Sequence, residues 1–197
     1  MTNIVNLFNF IESNRPEYKT QFNVKLIYDP ESLTKDDLNV GRDLDLRNTK
    51  ITTLPDNLTV GRVLDLQHTP ITTLPDNLTV GGNLYLRHTP ITTLPDNLTV
   101  GGILDLRHTP ITTLPDNLTV DGTLVLSYIP ITTLPDNLTV GGEIYLSNTQ
   151  ITTLPDNLNV GGNITLFDTP LSKKYSKDEI RKMIEDKGGN IEGNIYI

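Results

Sequence analysis

Three histidines, His68, His88 and His108, recur at intervals of twenty residues, and six aspartates, Asp56, Asp76, Asp96, Asp116, Asp136 and Asp156, recur at the same interval. Side chains of these types in such a pattern raise the question of metal binding, since imidazole suits Zn²⁺ and rows of carboxylates suit Ca²⁺. If each interval is one rung of a stack, the histidines fall in a single line about 4.8 Å apart. A line does not surround an ion tetrahedrally, so a solvated surface ladder is the better account of the histidines. Every aspartate follows Pro and precedes Asn, where an Asx turn explains it without an ion. Six like charges in a row repel one another and gather cations only loosely. Catalysis has less support still. The chain has no Cys, no histidine beside a distinct nucleophile, and no glycine-rich loop leading from a strand into a helix. The expectation is a non-enzymatic chain with no catalytic residues, no bound metal and no cofactor.

The elements that position these side chains follow from the repeat itself. The run ITTLPDNL returns in register at Ile51, Ile71, Ile91, Ile111, Ile131 and Ile151, so the period of twenty must be explained before any local motif. Prolines such as Pro75 and Pro90 deny a long α-helix within a unit, because each lacks an amide donor and restricts its predecessor. In NLYLRHT, Leu84 and Leu86 alternate with Asn83, Tyr85 and Arg87, the period-two signature of a strand with one buried face. In NLTVGG, Leu98 and Val100 alternate around Thr99, giving a second short extended piece. The glycines between the two pieces form a turn. Asp121 replaces the first of them and Arg42 and Arg62 the second, so the first position is predicted to need a left-handed backbone, which Asp tolerates.

Each unit thus points about six apolar side chains inward, for example Ile91, Leu94, Leu98, Val100, Leu104 and Leu106. One unit cannot bury enough surface to offset its own ordering entropy, so stacking is obligatory. The fold class expected is a β-rich, right-handed repeat solenoid of about nine rungs, mainly parallel sheet, with short capping helices at both ends. Its strands are centred on residues 25, 45, 65, 85, 105, 125, 145, 165 and 196, and it spans roughly 40 Å.

The ends depart from the repeat. Residues 1–21 are read as an N-terminal helical cap, because Ile4, Leu7, Phe8 and Ile11 follow helical spacing and Pro16 ends the pattern. Residues 22–171 form the solenoid, beginning with a degenerate rung near Phe22 and an imperfect one through Leu38, Val40, Leu44 and Leu46. Residues 172–197 hold a capping helix and a last strand. Ser176 and Glu179 make a capping box, Ile180, Met183 and Ile184 an apolar stripe, and Gly188 or Gly189 a stop. The tail NIEGNIYI then places Ile191, Ile195 and Ile197 on Val160, Ile164 and Leu166.

Bulk properties narrow the partners. A net charge of −8 among 197 residues and a pI near 4.8 argue against nucleic acid and anionic membrane. There is no long apolar run, and the start lacks a signal-peptide pattern, so a cytoplasmic, monomeric protein is expected.

The segment LYLRHTPITTLPDNL, of the form LxLxxTxIxxLPxxL, resembles the leucine-rich repeat, and its period and LP pair look like the short bacterial class found in type III secreted effectors. LPDNLTVGG-type units are also similar to repeats in tailed-bacteriophage proteins. The resemblance covers roughly residues 22–170, and what it implies is protein binding; a phage or bacterial effector acting on a host protein in the host cytoplasm is one form of that expectation, with neither a secretion signal nor a ubiquitin-ligase-like extension in the sequence to support it. The family's Asn ladder is here Thr49, Thr69, Thr89, Thr109, Thr149 and Thr169, interrupted by Ile129. Gly81 and its equivalents stand where the family places its first Leu. Threonine arrays on β-solenoids resemble ice-binding proteins, but Thr92 and Thr93 are adjacent and are expected to point to opposite sides.

The residues that vary between units lie on the solvent face of the main sheet, and this is where a protein partner is expected. The candidates are Tyr85, Arg87, Arg107, Val125, Tyr128, Tyr145 and Phe167, with Tyr and Arg being types enriched at binding hot spots. The competing account is that these side chains only form cross-strand ladders that stiffen a passive structural or surface repeat protein.

Overall fold

The computed structural model, which describes residues 25–27 and 30–197, is a parallel β-solenoid. Each unit contributes two strands of two residues, as in Thr99–Val100 and Leu104–Asp105. The first kind assembles into one eight-stranded parallel sheet running from Asn39–Val40 to Asn190–Ile191. The second kind assembles into another, running from Leu44–Asp45 to Ile195–Tyr196. Equivalent residues face one another, Val80 opposite Val100 and Leu84 opposite Leu104. Parallel neighbours need a crossover rather than a hairpin, and the ITTLPDN stretch supplies it in each unit.

The alternation read from the sequence sets the packing. Ile91, Leu94, Leu98, Val100, Leu104 and Leu106 are all buried, and so are their equivalents from rung to rung in one continuous core. The threonines that replace the asparagine ladder are satisfied inside their own turn. The hydroxyls of Thr69, Thr89, Thr109 and Thr149 each donate to the carbonyl three residues earlier at 2.7 Å. Ile129, buried in the same row, needs no partner.

Three expectations are corrected. The described residues hold eight rungs rather than nine, because residues 25–27 are helical and Pro30–Ser32 is a 3₁₀ turn, with no first strand there. This segment lacks an LPDNL unit to carry the chain round, and the Thr34 amide and hydroxyl instead donate to the Asp37 carboxylate at 2.9 and 2.8 Å. The expected N-terminal helix through Ile4 and Ile11 lies outside the described residues.

Secondly, no glycine between the two strands takes a positive φ; among the described glycines only Gly188 does. Close stacking favours glycine there instead, since a Cβ on Gly81 would lie 2.6 Å from the Gly61 carbonyl oxygen. Thirdly, the left-handed positions fall elsewhere. One row is Asn48, His68, His88, His108, Tyr128, Asn148 and Asp168, and another contains Asn57, Asn77, Asn137 and Asn157. Asn, Asp and His are the non-glycine types that tolerate this region best. Thr92 and Thr93 are both exposed, as are both threonines of every ITTL unit. That stretch is not β-strand, so strict alternation does not govern it.

The helix after Ser176 and the last strand lie where the sequence placed them, and a short helix that the sequence did not announce precedes them. A short helix, Pro170–Lys174, is capped by Thr169, and a longer one, Lys177–Asp186, is capped by Ser176 with the expected Glu179 box. Ile180 and Ile184 are buried on the core and Gly188 ends the helix at φ 78°. The chain then rejoins the stack, with Val160 opposite Ile191 and Ile164 opposite Ile195.

The helix closes one sheet chemically as well as sterically. In the preceding rung the carbonyls of Val160 and Gly162 accept the amides of Glu192 and Gly193 at 3.0 and 3.1 Å. The equivalent carbonyls of the last rung, Ile191 and Gly193, accept instead from the Arg181 guanidinium, Nη1 at 3.2 Å and Nη2 at 2.6 Å.

Candidate functional site

The outward face of the second sheet is organised in columns, because equivalent side chains recur at every rung. One column reads Asp45, Asp65, Tyr85, Asp105, Val125, Tyr145, Thr165 and Tyr196. The side chain two residues on, from Arg47 to Phe167, forms a second column, and the next residue, in the left-handed turn, forms a third.

The N-terminal half of this face is self-paired. Arg47 grips Asp45 through Nε at 3.0 Å and Nη2 at 2.7 Å, and also lies 3.3 Å from Asp65. Gln67 donates to both oxygens of Asp65 at 3.1 Å. Arg107 grips Asp105 at 2.9 and 2.6 Å. These bonds hold the Asp45 carboxyl below its ordinary range and raise the Arg107 guanidinium. They also cover Asp65 and Asp105, which are buried although they point away from the core. Sequence reasoning missed that burial. The signal was the DxR and DxQ spacing, which puts acid and donor on one strand face.

Arg87 differs. Its rung has Tyr85 where its neighbours have Asp, so the guanidinium has no carboxylate ion pair among the described residues, and its Nε donates to His88 Nε2 at 3.1 Å. Tyr85 is half-buried, and its hydroxyl accepts from Asn83 at 2.9 Å.

The C-terminal half presents carbon. Val125 and Tyr145 are half-buried neighbours in one column, while Phe167, at the far end of the adjoining column, is 47% exposed and Tyr196 is 40% exposed. The Tyr145 hydroxyl donates to Glu143, which also accepts from Asn163 at 2.6 Å. That bond raises the phenol's pKa and lowers the carboxyl's. Tyr145 therefore shows its ring with its polar end already occupied.

Tyr128 stands apart from this group. It continues the turn column, where His68, His88, His108 and Tyr128 form one stack with ring centroids 4.7, 4.6 and 5.0 Å apart. His88 titrates below the ordinary histidine value, through desolvation between its neighbours first and then the charges of His108, Arg87, His68 and Arg107. Parallel rings aim their nitrogens side by side rather than at a common point. Among the described residues, no group of three or more His, Cys, Asp or Glu side chains is placed to hold a metal ion. No helix of the described residues is long and apolar enough to cross a membrane.

The structure thus brings Tyr145, Val125 and Phe167 onto one end of the face, sets Arg87 and Arg107 in one column as unequal cations, and moves Tyr128 to the turn. No protein-family model matches the chain, and no curated protein matches it either.

Proposed function

We propose that this solenoid is a non-enzymatic protein-binding module whose partner docks across the outward face of the second sheet, centred on its C-terminal half. The observation that carries this reading is the exposure of Phe167 and Tyr196 beside Tyr145; among the described residues the other exposed large apolar side chains are Tyr128, in the turn column, and Ile27. Aromatic rings held rigidly on a sheet bring large contact area at little entropic cost, and such residues dominate interface energetics. Arg87, lacking a carboxylate, is the cation left to orient a partner; Arg107, paired with Asp105, contributes shape more than charge. Tyr85, Val125 and Tyr128 border this surface. On this reading the chain is a leucine-rich-repeat-like module of phage or bacterial origin, directed at a host protein in the host cytoplasm and acting as a monomer. The deciding experiment is capture of a partner from host lysate with the intact protein, repeated with Tyr145→Ala and Phe167→Ala.

A second reading, a passive repeat scaffold, is favoured by the self-pairing of the face through Asp45 with Arg47, Asp105 with Arg107 and Tyr145 with Glu143. It predicts that the same substitutions lower the melting temperature and leave every captured partner bound. The exposed double row of threonines belongs to this reading, and an ice recrystallisation assay tests it directly.

A further inference from the structure

The two sheets do not end alike. Arg181 supplies the donors that a further rung would offer to the first sheet, but among the described residues no such substitute reaches the second. In every earlier rung of that sheet the amide at the Ile195 position donates onward, as Leu124 does to the Glu143 carbonyl at 2.9 Å and Ile144 to that of Asn163 at 2.9 Å. The amide at the Ile197 position does the same, as Leu146 does to the Thr165 carbonyl at 2.7 Å. Among the described residues no strand lies beyond Ile195–Tyr196, so this edge shows two amide donors in strand geometry. Beside them opens a cavity of about 290 Å³ lined by Lys177, Asp178, Arg181, Asn194, Ile195 and Tyr196. Its charged groups are two cations and one carboxylate, and Lys177 reaches over the Tyr196 ring at 5.9 Å. Tyr196 and Phe167 are exposed at the same end.

A row of amide donors is satisfied by the carbonyls of an extended chain, and a net positive pocket beside it by an acidic side chain. We propose that an extended acidic segment of the protein partner adds to the second sheet as its ninth strand. Its carbonyls accept from Ile195 and Ile197, one carboxylate enters the pocket against Lys177, and its outward side chains meet Tyr196 and Phe167. The proposal rests on the reading that this end of the sheet face binds protein, and it names the chemistry of what binds.

The probe is a blocked hexapeptide of alternating Val and Glu, with a Val and Lys hexapeptide as control, titrated into the full chain and followed by amide NMR and hydrogen exchange. The Val/Glu peptide is expected to slow exchange at the Ile195 and Ile197 amides. The exposed substitution Lys177→Glu is expected to weaken its binding at least tenfold, and the Val/Lys peptide is expected not to bind. Failure of the Val/Glu peptide to bind, binding that leaves the two amides unchanged, or equal binding by Lys177→Glu overturns the proposal. Loss of a captured partner on Phe167→Ala with no peptide effect would remove this inference and keep the docking face. Peptide binding with capture unaffected by Tyr145→Ala and Phe167→Ala would keep the edge and remove the face.

Discussion

The guanidinium of Arg181 donates through Nη2 to the carbonyl of Gly193 at 2.6 Å, taking the place of the amide that a further rung would supply. A charged hydrogen bond to a carbonyl stabilises by about 1.5–3 kcal/mol, and its loss strands an acceptor at the edge of a sheet. Arg181→Met should therefore lower stability by about 2 kcal/mol, measured by urea denaturation, and should raise self-association seen by light scattering. Arg181→Lys, with a point charge in place of a fork, should recover only part of this.

Removing residues 172–197 altogether should have a larger effect of the same kind. The cut uncovers Val160, Ile164 and Leu166, each buried in the intact chain, and leaves both sheets open. Light scattering is expected to show association; a truncated protein that stays monomeric and equally stable would show that these residues do not act as a cap.

Tyr145→Ala and Phe167→Ala should each weaken partner binding by about 2 kcal/mol or more through faster dissociation. Folding should be largely retained for Phe167→Ala, whose ring is 47% exposed. Arg87→Glu should act mainly on association rate, with an effect that shrinks as salt is added. Surface plasmon resonance on a captured partner at two ionic strengths separates the two behaviours.

His88, in the middle of the histidine stack, gives the stability a pH dependence whose sign follows from its lowered pKa. His88 has a folded-state pKa below the ordinary value of 6.5, so between the two values the unfolded chain binds more protons than the native one. Its contribution is fully present above pH 6.5 and is lost as pH falls through that value toward the folded pKa, below which the loss is complete. Urea denaturation at pH 7.5 and 5.5 should show the drop. His88→Asn should reduce it, because Asn148 shows that Asn takes the same left-handed turn at φ 58° without a titrating group.

The turn column offers a test of packing against backbone preference. Tyr128 sits at φ 63°, where a bulky side chain is strained, and it gains a ring contact with His108. Tyr128→Asn relieves the first and removes the second, each of order 1 kcal/mol. The melting temperature should move little, in contrast to Thr149→Val, which takes away a buried hydroxyl bond to the Leu146 carbonyl and should cost about 1 kcal/mol.

The solenoid was legible in the sequence because two periodicities agreed. The interval of twenty fixed which residues stack, and the alternation around Leu84 and Leu86 fixed which point inward. The helix after Ser176 was legible because its capping box, apolar stripe and terminal glycine all pointed the same way. The degenerate first rung misled because Leu26 falls in register, yet register alone cannot make a strand without the LPDNL stretch that carries the chain to the next turn. Gly81 was misread as a conformational need, since a sequence does not show how closely two backbones pass. The same limit hid the burial of Asp65 and Asp105, which depends on Arg47 and Arg107 folding back over them. The face that carries Tyr145 and Phe167 was visible as variation between units. Its change from charged residues, Asp45 to Arg107, to apolar and aromatic ones, Val125 to Tyr196, was legible as well; the self-pairing of the charged half needed coordinates, because it turns on which side chains meet.

The two ends of the molecule are made from segments that the twenty-residue unit does not contain, and every seam between has the same register. Paired strand residues across a seam are 20 apart until the last, where the inserted helix raises the separation to 31. Removing or duplicating a whole unit such as residues 91–110 is then expected to leave the C-terminal cap and the register of the remaining seams as they are. The length of the molecule is in this sense digital, changing by about 4.8 Å per unit, and the face it offers can be resized by counting rather than by redesign.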